Sequence, residues 1–338
     1  MEVSDNGHFN DLIRLIQEES SDREFHWVAE SIIQPEFPQI IETLEIVSNL
    51  LLFNSPVLPD KSQLSERGPP VKLPVSTPKL EALKGIIVRD GSNISQLSIQ
   101  LQHRQFNKVI HKLVLKTPIV LKQVLESKAA IDSAIEMIKQ SSTLSSCHDH
   151  ISLIQLFTNL LHKLSIAKNC LQLPTDPSLV FPQNVTEASH FDPPLPPNVA
   201  IDVYINQAEV CVDLKYLQQI VEKPWLEIDE SGLSYVDKLR EEIKLKNPTE
   251  TQVKIDNKLQ SINHGNGLFS NVMSILSQKH EPMDYITKCI TYNHSVVMIN
   301  SKIEVSSLDP IILSAFTKLD SVEYLISRFL ENLQDIFK

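Results

Sequence analysis

Four stretches of the chain space their apolar residues at alternating intervals of three and four, which is the period of an amphipathic helix. This pattern predicts helices over residues 24–54, 117–140, 150–171 and 309–337. Each helix needs a partner face, because helix stability comes mainly from tertiary packing. We expect the apolar stripes to meet in a core that includes Leu44, Phe157, Leu164, Leu319, Ile326 and Leu333.

Proline and capping residues set the expected helix boundaries. Thr117-Pro118 and Asp309-Pro310 each place an N-cap residue before a proline at the first helical position. A helix is therefore expected to begin at both dipeptides. Pro35 and Pro38 interrupt the first stripe and predict either a kink or a new helix that begins near Pro35.

Between the helical stretches the apolar period changes to two, which is typical of half-buried strands. Asp90-Gly91 lies between two such runs and predicts a hairpin, and Asn293-His294 is a plausible turn. The expected strands include residues 94–101, 109–116, 199–205, 209–214, 286–291, 295–299 and 302–305.

Two further segments differ in composition from the predicted strands around them. Residues 172–200 are rich in proline and are expected to form a connector. Residues 222–282 are expected to be a polar insertion, with an exposed helix over 235–246 and a short apolar helix over 268–276.

These elements predict an α+β fold. The economical arrangement is an antiparallel four-helix bundle, built from discontinuous N-terminal, middle and C-terminal segments, beside a mainly antiparallel β domain. The helical domain is expected to comprise residues 1–55, 117–172 and 308–338, and the β-rich domain residues 56–116 and 173–307. This arrangement places the first and last helices in contact. The alternative is that the last helix forms an intermolecular coiled coil.

Composition excludes several classes of function. Only seven of the 338 residues are glycine, and the chain contains no Walker A sequence, so a nucleotide-binding fold is not expected. The net charge of -11 disfavours nucleic acid and anionic membranes as partners. The polar N-terminus and the lack of a long apolar run predict a cytosolic or nuclear protein without direct membrane insertion.

Clusters of reactive side chains are few. Cys147-His148-Asp149-His150 has metal-capable groups but no second ligand pair, so a solvated loop is expected rather than a metal site. His26 has no recognisable nucleophile, and we expect Phe25 and Trp27 to form an aromatic cluster at one end of the bundle. No catalytic, cofactor-binding or metal-binding residue is therefore predicted.

Two short motifs resemble the Rogdi family. The sequence Glu24-Phe25-His26-Trp27 resembles the opening of that family's first helix. The segment 195–206, with Pro196, Tyr204 and Asn206, is similar to the family's second motif, and residues 209–217 continue the similarity. We expect these motif residues to be structural, with Tyr204 partly buried in the β domain. Residues 1–23 and 222–282 lie outside the resemblance.

The resemblance implies a function that the residues alone do not. The fungal branch of the family is the small subunit of the RAVE complex, which reassembles the peripheral sector of the V-ATPase onto its membrane sector. The implied partners are a large WD-repeat scaffold subunit, Skp1 and peripheral-sector subunits, and the implied location is the cytoplasm with recruitment to vacuolar and early endosomal membranes. The alternatives are an enzyme with a pocket between the two domains and a homodimeric coiled-coil scaffold.

Overall fold

The computed structural model describes residues 5–60, 66–78, 82–143, 149–244 and 282–337. Within these residues the fold is α+β, with two antiparallel sheets, as predicted. The helices are α1 (Asp5–Val28), α2 (Gln34–Phe53), α3 (Lys122–Thr143), α4 (His150–Gln172), α5 (Tyr235–Lys244), α6 (Pro282–Lys288) and α7 (Pro310–Ile336). The strands are β1 (Val71–Ser76), β2 (Leu83–Asp90), β3 (Asn93–Leu101), β4 (Lys112–Leu115), β5 (Ile119–Val120), β6 (Phe191–Asp192), β7 (Val199–Asn206), β8 (Glu209–Gln219), β9 (Cys289–Tyr292) and β10 (Ser295–Leu308).

The two sheets use different parts of the chain. The first has the strand order β1-β2-β3-β4-β6, with β5 pairing with β3, and the second has the order β7-β8-β10-β9. The predicted hairpin joins β2 to β3, and Gly91 supplies the positive φ of 59° that its turn requires. Asn293 and His294 form the turn between β9 and β10, also with positive φ. Both turn predictions are confirmed.

Four helices contact one another in pairs. Helix α3 packs against α2 and α4, and α7 also packs against α2 and α4. The first and last predicted helices therefore touch, although most of the chain separates them. Aromatic side chains fill part of the space between these four helices. The Phe157 ring centroid lies 6.4 Å from that of Phe37 and 5.9 Å from that of Phe329. The stripe on α7 faces inward, with Ile312, Leu319, Ile326 and Leu333 fully buried.

The N-terminal helical region is longer than predicted and is divided. Helix α1 begins at Asp5 rather than at residue 24, and a π-helical turn over Ala29–Ile33 links it to α2. Pro35 lies in the first turn of α2, but the residues before it are also helical, so its missing N–H interrupts the helical hydrogen bonds where the π-helical turn meets α2. The sequence predicted either a kink or a new helix near Pro35; the structure has helical backbone on both sides of it, with the π-helical turn directly before α2.

The prediction that a helix begins at Thr117-Pro118 is wrong. Residues Ile119–Val120 form β5 instead, paired with Asn93 and Ile94 of β3, and the Leu121 N–H donates to the Ser92 carbonyl. The sheet therefore uses the backbone groups that a helical first turn would have needed, and α3 begins at Lys122. Val120 lies in this strand and is half exposed.

Several strand predictions also need correction. Strand β1 was not predicted, and the third strand of the meander is only Lys112–Leu115, because a 3-10 turn occupies Phe106–Lys108. The two strands expected over 295–305 are one long strand with a bulge near Ile299, where the register with β8 shifts. Ile286 lies in α6 and not in a strand.

The segments expected to be a connector and a polar insertion both pack onto the fold. Residues 172–200 contain two 3-10 turns and β6, which pairs with β4. The described parts of residues 222–282 include α5. Together with residues on either side of the segment, they form a small buried apolar cluster. Its members are Ile220, Trp225, Val236, Tyr285, Ile286, Cys289, Val296 and Met298. The helix predicted over 268–276 lies outside the described residues.

The largest apolar core runs without interruption from the helices into both sheets. It includes Leu44 of α2, Ile87 of β2 and Leu214 of β8. The division into a helical and a β-rich domain stays a prediction. In the described parts of the chain, no helix has the length and apolar character needed to cross a membrane.

Candidate functional site at the helix–sheet junction

The turn between β7 and β8 lies where the second sheet meets the helices. Gln207 and Ala208 both take the left-handed conformation, with φ of 50° and 61°. Their N–H groups donate to the carbonyls of Gln172 and Leu171, at 2.8 and 3.0 Å. These carbonyls belong to the last turn of α4, where no following helical N–H groups are available to donate to them. The turn therefore caps α4 and fixes the sheet to it.

The side chain of Gln123 on α3 completes the edge of β7. Its Oε1 accepts from the Ile205 N–H at 2.8 Å, and its Nε2 donates to the Ile205 carbonyl at 2.9 Å. The same Nε2 donates to the Cys170 carbonyl at 2.8 Å. This amide thus pairs with β7 as a neighbouring strand would, and it connects α3, α4 and the second sheet.

A fully buried ion pair connects the first sheet to α7. Arg89 Nε and Nη2 donate to the two carboxylate oxygens of Asp309 at 2.5 and 3.1 Å, and neither side chain is exposed. Arg89 Nη1 also donates to the Gly91 carbonyl at 2.7 Å. A buried charge is tolerated only when it is paired and hydrogen-bonded, as both charges are here.

Asp309 has a second role at the same place. Its Oδ1 accepts from the N–H groups of Ile311 and Ile312, which are orphan donors of the first turn of α7. Its own N–H donates to the carbonyl of Ala208 in the β7–β8 turn, at 3.1 Å. Asp309 therefore joins β2, α7 and the turn that caps α4. We call the connected groups of Arg89, Gln123, Ile205, Ala208 and Asp309 the junction.

A second buried network lies on the other face of the second sheet. Lys215 Nζ donates to Asp202 Oδ2 at 2.9 Å and to Asp213 Oδ2 at 2.6 Å, and all three side chains are buried. Asp202 also accepts from the Phe181 N–H at 3.0 Å and from Asn184 Nδ2 at 2.8 Å. The network therefore holds the proline-rich segment against this sheet.

Tyr204 and Cys211 lie beside this network. The Tyr204 hydroxyl donates to Glu304 Oε1 at 3.1 Å. Burial, followed by the charge of Glu304, raises the pKa of Tyr204, and burial raises the pKa of Cys211 to about 12. A hydrogen bond from Lys302 lowers the pKa of Glu304. At neutral pH both the hydroxyl and the thiol are protonated, which suits hydrogen bonding and packing rather than nucleophilic attack.

Comparison with known proteins identifies the family. A sequence model described as "Rogdi leucine zipper containing protein" matches residues 24–334. The chain belongs to the Rogdi family. It is 24% identical over 332 residues to "Regulator of V-ATPase in vacuolar membrane protein 2" of Saccharomyces cerevisiae. The aligned region covers 92% of this chain and 90% of that protein. This chain is also 20% identical over 199 residues to "Protein rogdi homolog" of Danio rerio. That aligned region covers 58% of this chain and 67% of the Danio rerio protein.

The second Rogdi-family motif predicted from the sequence lies at the junction. Pro196 is half-buried before β7, and Tyr204 is buried on the outer face of the strand. Ile205, between Tyr204 and Asn206, is the residue that Gln123 binds. Asn206 Oδ1 is buried, and among the described residues it has no hydrogen-bond partner. The motif therefore supplies backbone groups and packing that join the helices to the second sheet.

The first Rogdi-family motif is divided between two environments. Phe25 is buried, with its ring 6.0 Å from that of His150 and 5.9 Å from that of Phe337. Trp27, expected in the same aromatic cluster, is instead 60% exposed. The two residues differ because positions i and i+2 of a helix point to different sides.

The predicted histidine and cysteine cluster lies only partly within the described residues. Asp149 is the N-cap of α4 and accepts from the N–H groups of Ile151 and Ser152 at 3.2 and 3.1 Å. The His150 ring stacks on that of Phe337 at 4.1 Å. Cys147 and His148 lie outside the described residues. Elsewhere in the described structure, no three His, Cys, Asp or Glu side chains are grouped so that they could hold a metal ion.

A cavity of about 490 Å³ lies between the start of α3 and the proline-rich segment. Lys122, Glu187 and His190 contribute polar groups to its lining. His190 Nε2 is 3.8 Å from Glu187 Oε2, which is beyond hydrogen-bond distance. The His190 imidazole in this lining is therefore not hydrogen-bonded to Glu187.

The sequence did not predict the side chains that connect the elements. Arg89 carries one signal, since it is a charged residue that directly follows the apolar residues Ile86, Ile87 and Val88 of β2. Asp309 was predicted as a helix cap but not as the partner of Arg89, which is 220 positions away. Gln123 has no local signal, because its role depends on the edge of a strand formed much later in the chain.

Proposed function

We propose that this chain is a non-catalytic adaptor subunit of a RAVE-type complex. In this role it promotes assembly and reassembly of the V-ATPase peripheral sector with the membrane sector, and so supports vacuolar and endosomal acidification. One observation carries the proposal: the similarity to the yeast regulator of V-ATPase extends over 92% of this chain and 90% of that protein. The similarity therefore extends over nearly the full length of both chains, rather than over one module.

The proposal includes a structural role for the helices. Helices α2, α3, α4 and α7 act as one antiparallel bundle, and the β-rich part is a second domain fixed to it at the junction. The pairwise contacts of the four helices and the complete burial of Phe157, Leu164 and Ile326 support the bundle. An adaptor needs such a rigid body, because it must hold two partners in a constant relative position.

The chemistry of the described residues supports a role through surfaces. Cys170, Cys211 and Cys289 are buried free thiols, and burial raises the pKa of each. Such thiols are poor nucleophiles at neutral pH. The buried carboxylates Asp202 and Asp309 are engaged in ion pairs and backbone hydrogen bonds. These groups stabilise the fold and are not available as acids or bases.

The proposed partners are a large WD-repeat scaffold subunit, Skp1 and subunits of the V-ATPase peripheral sector. The proposed location is the cytoplasm, with peripheral recruitment to vacuolar and early endosomal membranes. Recruitment through proteins is favoured because the chain has a net charge of -11, which anionic lipids repel.

Affinity purification of the tagged full-length chain from its own cells tests the proposed partners. We expect the WD-repeat scaffold and V-ATPase peripheral subunits to be recovered in amounts comparable with the bait, measured by isotope-labelled mass spectrometry. An Ile326→Asp chain, in which the buried core is disrupted, should recover neither. If the wild-type chain is soluble and recovers no scaffold and no V-ATPase subunit, the proposed function is wrong.

A further inference from the structure

Helix α1 extends away from the rest of the molecule over much of its length. Between residues 11 and 24 every side chain is exposed except Ser21, which is half-buried. Among the side chains of this helix that the structure describes, from residue 11 onward, the first buried one is Phe25, which contacts His150 and Phe337. Phe25 therefore fixes the rotation of α1 and determines which side of the helix points away from the core.

The side opposite Phe25 carries exposed apolar residues at its two ends, with Ser20 and Arg23 between them. Ile13, Ile16, Ser20, Arg23 and Trp27 follow one another at intervals of three and four, so they occupy one face of the helix. Ile16 is 58% exposed and Trp27 is 60% exposed, and Leu12 lies beside the same line with 48% exposed. We call Leu12, Ile13, Ile16 and Trp27 the α1 stripe.

The α1 stripe has the dimensions of a helical docking motif. From Leu12 to Trp27 it extends for about 20 Å along the helix, at about 1.5 Å per residue. Leu12, Ile13 and Ile16 lie within about one turn, at the spacing of the anchors by which an amphipathic helix binds in a groove on another protein, and Trp27 lies about three turns further along. Exposed tryptophan is unfavourable in a free protein, and tryptophan is enriched among the residues that contribute most to protein interfaces.

The charge of α1 distinguishes between the kinds of surface that could bind the α1 stripe. The helix carries six carboxylates and only two arginines. Glu19 and Glu24 flank the α1 stripe on either side, at positions about a fifth of a turn from it. An anionic membrane and a second copy of the same acidic helix would both be repelled. A protein groove with an apolar floor and a basic rim is complementary to both the stripe and the flanking carboxylates.

We propose that the α1 stripe is a docking helix for a partner protein that presents an apolar groove bordered by lysine or arginine side chains. The proposal goes beyond the adaptor function and does not depend on it, because it rests on the exposure and charge of α1 alone. It assigns Trp27 as the principal anchor, at the C-terminal end of the stripe, and assigns Glu19 and Glu24 to the rim of the interface.

Tryptophan fluorescence tests the exposure on which the proposal rests. The chain has two tryptophans, and Trp225 is buried against Tyr285. In a Trp225→Phe chain the emission comes from Trp27 alone. We expect emission typical of a water-exposed indole from the purified chain. An emission maximum already at short wavelength in the purified, monomeric chain would overturn the proposal.

Site-specific photo-crosslinking tests the occupant. A benzophenone side chain is introduced at position 16 or 27 of the full-length chain in its own cells, and the linked peptides are sequenced after irradiation. We expect both positions to link to one segment of another protein that combines apolar residues with lysine or arginine. Position 18 is the matched control, since Glu18 is equally exposed and lies about half a turn from Ile16.

Charge substitutions complete the test. The pair Glu19→Gln and Glu24→Gln should lower the crosslinking yield about threefold or more, because it removes the charges that face the basic rim. The pair Asp11→Asn and Glu18→Gln removes the same charge from the opposite side and should change the yield little. Links to lipid, to a second copy or to the same chain, equal yield at position 18, or no links at all would each overturn the proposal.

Discussion

The carboxylate of Asp309 has two structural roles at the junction. It caps α7 and is also the partner of a buried arginine, Arg89. Removing a cap alone costs about 1 kcal/mol, whereas removing one partner of a buried ion pair costs about 3–5 kcal/mol, because the other charge stays buried and uncompensated. The loss of this one carboxylate should therefore affect stability much more than its capping role suggests.

Asp149 provides the matched comparison for Asp309. It caps α4 in the same way, but its side chain is exposed and has no buried cationic partner among the described residues. We expect Asp309→Ala to lower the free energy of unfolding by at least about 3 kcal/mol and Asp149→Ala by about 1 kcal/mol, measured by denaturant titration. Equal effects of the two substitutions would show that the Arg89 pair contributes little.

The buried thiols make a prediction about alkaline pH. Burial raises the pKa of Cys211 and of Cys289 from 9.0 to about 12 in the folded chain. Between these values an unfolded thiol ionises and a folded thiol does not, so unfolding releases protons. The stabilising effect is complete below about pH 9 and is lost as the pH rises toward 12.

The free energy of unfolding should accordingly fall as the pH is raised above 9. In a Cys211→Ala chain this decrease should be shallower, because one of the titrating thiols is absent. Denaturant titrations at intervals of pH measure the slope for both chains. An identical slope would mean that Cys211 is already ionisable in the folded state.

At the scale of the element, local signals in the sequence predicted which segments are helical better than where each helix begins. The apolar stripe of α7 and the cap at Asp309 both indicated the same helix, which is present over Pro310–Ile336. At Thr117-Pro118 the capping signal was also present, but pairing with β3 competed for the same backbone groups and prevailed. A capping motif does not indicate whether a distant strand will occupy the donors that follow it.

The stripe of α7 also makes the clearest prediction about an element. Ile326 is fully buried, so Ile326→Asp places an unpaired charge in an apolar interior. The cost is several kcal/mol, comparable with the whole stability of a typical domain, at about 5–15 kcal/mol. We expect thermal unfolding by circular dichroism to show loss of the cooperative transition.

Ser321 on the same helix is exposed and serves as the control. Ser321→Asp adds the same charge to α7 at a solvated position, and surface substitutions of this kind usually change stability by no more than about 0.5 kcal/mol. A wild-type transition in Ile326→Asp would contradict the inward orientation of the stripe.

At the scale of the whole molecule, the fold class and the family motifs could be predicted from the sequence. The side-chain contacts that connect the elements could not. Apolar periods of two and 3.6 are local, so they indicated an α+β chain with mainly antiparallel strands. The contacts of Gln123 with Ile205 and of Arg89 with Asp309 join residues 82 and 220 positions apart. Such pairs leave no periodic signal in a single sequence. The exposure of Trp27 likewise depends on where Phe25 is anchored.

The central claim is that the whole chain promotes the union of the two V-ATPase sectors, and co-purification of the sectors tests it most directly. The membrane sector is isolated from cells that lack the protein, under a temperature or pH that stresses acidification, and the attached peripheral sector is quantified. We expect a lowered fraction of complete V-ATPase, restored by the wild-type chain and by Ser321→Asp but not by Ile326→Asp. An unchanged fraction together with normal vacuolar pH in cells without the protein would contradict the account.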